Sequence, residues 1–150
     1  MLENFRRGSA RLSSLFLSAW LVLATVGCSE PRELTTEQAV ALEQRVRDRW
    51  QTLVNRDFDA AWEFETPNYR SVFSKSMYRQ QFSYSVEWEL TGVSILNYDA
   101  PAAVASVVAR VMTKSTKPTS AATKAIGARP LSIREKWILI DGEWWHSVNY

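Results

Sequence analysis

Two side chains with reactive chemistry near neutral pH occur once each in this sequence, Cys28 and His146. A thiolate is a nucleophile and a metal ligand, and an imidazole is a general base whose ordinary pKa lies near ~6.5. Their solitude limits both. One histidine cannot supply a histidine ligand pair, and without a second cysteine neither a zinc set nor an intramolecular disulfide forms, so no metal and no cofactor are expected. In Trp144-Trp145-His146-Ser147-Val148, strand alternation puts Trp144, His146 and Val148 on one side. If that side faces inward, His146 lines a pocket and is the candidate catalytic residue. With no partner for a triad in view, a strand histidine that is partly exposed or bonded to backbone is the simpler reading.

The acids offer less. Asp57 and Asp59 follow a helical stretch, where capping is the simpler role. Glu87 and Glu89 flank Trp88 on the opposite parity and should face solvent. Tyr69, Tyr78 and Tyr84 can supply hydroxyls, and Trp88, Trp137, Trp144 and Trp145 can supply aromatic walls, although core packing accounts for most of them equally well. Tyr84, Trp88, Trp144 and His146 form the expected ligand-binding set. Because Trp144 and Trp145 must face opposite sides of a sheet, one indole falls on the non-core face, as a pocket, dimer interface or partner site would require. No acid lies between Asp99 and Glu135, while Arg110, Lys114, Lys117, Lys124, Arg129 and Arg134 accumulate. Lys114, Lys117, Lys124 and Arg129, with Trp145, are the expected contact for anionic headgroups or an acidic partner; the competing reading is a solvated loop.

These residues must be carried by elements that the periodicity locates. Ala39, Leu42, Val46, Trp50 and Leu53 recur at helical steps, with Arg45, Arg47, Asp48 and Arg49 assigned mostly to the wet side. Thr35 and Gln38 fit a capping box at the start of that helix. A second short helix is expected from Asp57, stopped by Pro67, and a third from Ser74 or Ser76 to about Phe82. After Tyr84 the pattern changes to strands: Val86, Trp88 and Leu90 alternate, Gly92 marks a bulge, and 100–115 is rich in β-branched residues. A polar, Ala-rich loop follows. Asp141-Gly142 then marks a two-residue hairpin between the last two strands. Helices first and an antiparallel sheet after them give an α+β domain in which the sheet wraps the first helix.

The leading segment is different in kind. Arg6, Arg7 and Arg11 stand against Glu3 alone, and 12–26 carries no charge before Gly27-Cys28. This is the tripartite pattern of an export signal, and the uncharged run is shorter than a transmembrane span requires. With small Gly27 directly before the cysteine, the segment resembles a bacterial lipoprotein signal, although Thr25 stands where that family usually has Leu. The resemblance implies cleavage before Cys28, lipidation of its thiol and anchoring in a membrane. Ser29, where the retention signal of the family would have Asp, implies the periplasmic face of the outer membrane in a Gram-negative cell. Loss of the leader removes three arginines and Glu3 from 18 basic and 16 acidic residues, so the two become equal and nucleic-acid binding loses its electrostatic support.

The expected organisation is a signal peptide over 1–27, a tether over 28–33 and one domain over 34–150. The long helix, the short helix at "RDFDAAW", the kinked "TPNYR" and strands ending in "WILIDGEWW" are similar to the NTF2-like, or SnoaL-like, family. That resemblance implies a cone of N-terminal helices on a curved antiparallel sheet, often enclosing a pocket. The leading expectation is a membrane-anchored envelope lipoprotein whose domain binds a protein partner or small ligand without chemistry. The alternatives are a SnoaL-like or ketosteroid-isomerase-like enzyme acting on a small apolar ligand, and a structural subunit of an envelope complex or a homodimer formed through the sheet face.

Overall fold

The computed structural model describes residues 33–117 and 120–148. All belong to the second of the two units, Met1–Glu30 and Pro31–Tyr150, into which the chain divides. The expected leader, Cys28 and most of the tether lie outside the described residues.

Helix α1 (Thr36–Val54) begins with the expected capping box: the Gln38 amide donates to the Thr35 hydroxyl, and the Thr35 amide to the Gln38 side chain. Leu42, Val46, Trp50 and Leu53 are buried as the periodicity requires, but so is Arg49. The structure corrects the assignment of Arg49 to the wet side. It lies three residues after Val46 and four before Leu53, within the apolar stripe, and hydrophobicity alone argued against that position.

Helix α2 (Phe58–Trp62) is capped by Asp57, whose carboxylate accepts from the Ala60 amide. Pro67 does not stop α2; it opens α3 (Pro67–Val72), where the missing N–H of proline is harmless in the first turn. Helix α4 (Lys75–Arg79) starts at the Ser74 cap, as expected, and ends before Phe82.

Four strands, β1 (Val86–Asp99), β2 (Val104–Ser115), β3 (Arg129–Ile140) and β4 (Glu143–Ser147), form an antiparallel sheet in chain order. The Ala-rich connection between β2 and β3 contains a short helix, α5 (Ala121–Ile126), instead of a continuous loop. Register shifts at Leu90/Gly92 and Ile95/Asn97 bend β1, the first at the glycine expected to mark a bulge. The β3–β4 turn has positive φ at both Asp141 and Gly142, 51° and 83°, as a type I′ turn demands.

The result is α+β, with N-terminal helices packed on an antiparallel sheet, the layering expected of an NTF2-like cone. Helix α1 packs on β1 and β4. Its buried stripe meets Ala105, Val107, Ala109 and Val111 of β2, Val93 of β1, Trp137 of β3 and Trp144 of β4 in one core. Each fully buried aliphatic side chain of this kind contributes about 1.5–3 kcal/mol.

Candidate functional site

The inner face of the sheet is not uniformly apolar. Arg49, Glu65 and Glu135 are 6%, 0% and 4% exposed, and burying three charges requires that each find partners. Arg49 Nη1 donates to Glu135 Oε1 at 3.0 Å, and Nη2 to Glu65 Oε1 and Tyr78 Oη, both at 3.3 Å. Glu135 also accepts from the indoles of Trp50 (2.9 Å) and Trp137 (3.0 Å), so Trp50 is itself a polar donor of the inner stripe. Tyr78 Oη donates to Glu65 Oε1 at 2.9 Å, and His146 Nδ1 lies 2.7 Å from Glu65 Oε2.

Backbone pairing makes the last contact. The Thr66 amide donates to the His146 carbonyl and the His146 amide to the Phe64 carbonyl, so 64–66 lies parallel along β4 and sets Glu65 beside His146. This supplies the partner that the sequence did not reveal for His146.

Burial pushes the Glu65 carboxyl up, but the hydrogen bond and charge of His146, with Arg49 and Tyr78, outweigh it and hold the group below the usual carboxylate range. For Arg49 burial disfavours the charge, and Glu135, Tyr78 and Glu65 more than restore it, raising the group above its already high ordinary value. Tyr78 is raised, chiefly by burial, and stays a hydroxyl donor. An ionised Glu65 can only accept, so the proton of a neutral His146 sits on Nδ1 and its Nε2 presents a lone pair.

A pocket of about 260 Å³ opens beside this network. Leu53, Phe82, Trp88, Ile133 and Val148 give it apolar walls; Arg49, Trp50, Arg134, Glu135 and His146 give it polar groups. Trp88 packs edge-on to both Trp50 and Phe82. His146 Nε2 makes no hydrogen bond among the described residues, whereas Nδ1 is committed to Glu65.

Of the expected ligand-binding set, Trp88 and His146 line this pocket. Tyr84 does not: it is 59% exposed and stacks edge-on to Phe58. Trp144 does not either, since its indole donates to the Gln38 carbonyl and its ring packs on Tyr98, locking β4 to α1. Trp145 faces the other side from Trp144, as expected, yet is not a bare aromatic surface: the guanidinium groups of Arg45 and Arg70 lie 5.6 and 4.8 Å from its ring. Lys114, Lys117, Lys124 and Arg129 are outside the pocket, and Lys114 stands opposite Glu87 across β1 and β2. Glu87 and Glu89 are exposed, as expected. Glu65 gave no sequence signal beyond its place before Thr66-Pro67. Among the described residues no group of three His, Cys, Asp or Glu side chains could hold a metal, and no helix is long and apolar enough to cross a membrane.

No protein-family model matches the chain, and no curated protein matches its sequence. Among solved structures it is similar to a SEC-C motif containing protein from Rhodopseudomonas palustris, at 19% identity over 73% of this chain and 77% of that one, with a TM-score of 0.48. It is similar also to the protein Aln2 from a Streptomyces species, at 11% identity over 77% and 90%, with a TM-score of 0.49. A candidate polyketide cyclase from Xanthomonas campestris pv. campestris is similar at 14% identity over 71% and 92%, with a TM-score of 0.45. Likeness of this degree says nothing of activity.

Removing Arg49 strands two carboxylates in the core. Arg49→Met should lower unfolding free energy in urea by about 3–5 kcal/mol, and adding Glu65→Gln and Glu135→Gln should restore a substantial part of the loss. Because the folded pKa of Glu65 is depressed, its contribution is present above the ordinary value of 4.5 and disappears as pH falls through the lower folded value. Comparing urea unfolding at pH about 6 and about 3, Glu65→Gln should show a shallower acid loss than the parent; equal slopes would contradict the assignment.

Proposed function

We propose that this chain is an envelope lipoprotein, anchored through Cys28, whose α+β domain holds a small, largely apolar ligand in the pocket beside His146 without transforming it. The observation that carries the ligand reading is one imidazole nitrogen, His146 Nε2, with no partner among the described residues, on an apolar and aromatic wall, the composition of a small-molecule site. With Nδ1 committed to Glu65, Nε2 accepts from a hydroxyl when the imidazole is neutral and donates to the hydroxyl oxygen when it is protonated, so the matching ligand has an apolar body and one hydroxyl. The anchor reading is supported by the basic, apolar and small-residue segments before Cys28, with the periplasmic face of the outer membrane as the location if the cell is Gram-negative. Thr35 lies seven positions after Cys28, a covalent reach of at most about 25 Å, so the domain works close to the bilayer.

A second reading is favoured by one observation, the 2.7 Å contact between Glu65 and His146. A carboxylate behind an imidazole fixes its tautomer and stabilises the imidazolium, which equips Nε2 to take a proton from a carbon acid.

Quenching of tryptophan emission by 2-naphthol and by naphthalene tests the ligand reading. The hydroxyl should improve binding about 2- to 10-fold, the worth of one net hydrogen bond, and His146→Ala should abolish the difference. Absence of quenching, or a preference untouched by His146→Ala, would reject it. Deuterium exchange from solvent into 2-tetralone separates the two readings, since a binding protein leaves the ketone at its uncatalysed rate. Mass analysis of the membrane-extracted chain should find diacylglycerol on Cys28 at the new N-terminus; an intact Met1 with a free thiol overturns the anchor.

A further inference from the structure

The sheet has a second face, and its centre is cationic. Residues of even number alternate with the buried Ala105, Val107, Ala109 and Val111 along β2, which turns Ser106, Val108 and Arg110 outward. Pairing aligns these with Lys136, Arg134 and Ser132 of β3 respectively, and Arg134 and Lys136 are exposed on either side of the buried Glu135. On the other flank, Asn97 aligns with Ser106, Ser94 with Val108 and Gly92 with Arg110. Arg110, Arg134 and Lys136 therefore share one outer surface with serine and asparagine groups between them.

This surface is shaped. A depression of about 320 Å³ is lined by Leu96, Asn97, Ser106, Arg134, Glu135 and Lys136. The Glu135 carboxylate adds no free anion there, being held by Arg49, Trp50 and Trp137. Arg110 lies flat across β1: Nη1 donates to the Ser94 hydroxyl at 2.9 Å, and a Cβ on Gly92 would come within 2.7 Å of its Nη2. Gly92 thus clears the space in which the guanidinium rests. None of the three cations has a carboxylate partner among the described residues. The acids of the same face lie toward its ends: Glu87 and Glu89 at the start of β1, Asp99 at its finish, and Glu143 paired with Arg45.

We infer that this outer face docks on the anionic phosphate headgroups of a bilayer, with Arg110, Arg134 and Lys136 as the contacting cations. Charge complementarity calls for an anion, the breadth of the surface across three strands suits a plane, and the short reach from Cys28 keeps that plane within range. The choice of lipid over a soluble phosphate rests on the anchor reading; the presence of the cationic face does not.

The test uses the full chain reconstituted into phosphatidylcholine vesicles with or without phosphatidylglycerol, with lysine acetylation read peptide by peptide. Lys136 should be modified several-fold more slowly in the phosphatidylglycerol vesicles, while Lys75, on α4, reacts equally in both. Arg134→Gln should lower the protection of Lys136 about fivefold, the factor expected for one basic residue at an anionic surface. Equal rates at Lys136 in the two vesicles, or equal protection of Lys75, would overturn the proposal. So would protection of Lys136 by inorganic phosphate alone to the same degree, which identifies a soluble anion as the occupant. The mass of Cys28 is read in the same sample, so a failed anchor is distinguished from a failed docking face.

Discussion

The guanidinium of Arg49 organises the inner half of this molecule. A buried cation needs partners for its charge, and here those of Nη1 and Nη2 come from distant parts of the chain, Glu135 on β3, Tyr78 on α4 and Glu65 between α2 and α3, while Nε has none among the described residues. Each partner is itself over-determined, Glu135 by two indoles and Glu65 by a phenol and an imidazole. These shared hydrogen bonds offset much of an expensive burial and make the cluster a rigid frame. Replacing such a cluster by apolar residues of similar shape is often neutral or stabilising, so its value lies in what it positions. What it positions is His146, held on one side by Glu65 and packed edge-on to Trp137.

The sheet separates two kinds of chemistry through nothing more than alternation. Along β3, Glu135 and Trp137 point toward the helices and join the network, while Arg134 and Lys136 point away and stay hydrated. The bulges of β1 matter to both sides: they curve the sheet around α1 and place Gly92 beneath Arg110. One strand thus contributes to a ligand pocket and to a cationic surface, and Arg134 borders both.

Much of the frame is legible in the chain alone. The capping box at Thr35, the Asp57 cap, the bulge at Gly92 and the Asp141-Gly142 turn are local devices whose residues satisfy backbone groups a few positions away, so both partners stand together in the sequence. The misleading signals are also local in kind. Proline breaks helices, which argues for a stop at Pro67, but the same missing N–H suits a helix start. The charge of Arg49 argues for solvent, although its spacing from Val46 and Leu53 places it on the buried stripe. For the site, strand parity finds Trp88 and His146; Glu65 stays invisible, because its neighbours Phe64 and Thr66 reveal nothing until they pair with β4.

By itself the sequence determined the α+β order of elements, the hairpin, the helix caps and the faces of the strands, since these follow from periods and turn chemistry within a few residues. It also singled out Cys28 by the composition preceding it. Only the tertiary structure decided that Arg49, Tyr78 and two glutamates would share one buried site, that Glu65 would orient His146, and that Arg110, Arg134 and Lys136 would gather on one surface. Apart from Trp137 to Glu135, the contacts of the buried site join residues separated by 13 to 86 positions. Their existence depends on strand register and on the parallel bridge at 64–66, neither of which any local pattern encodes.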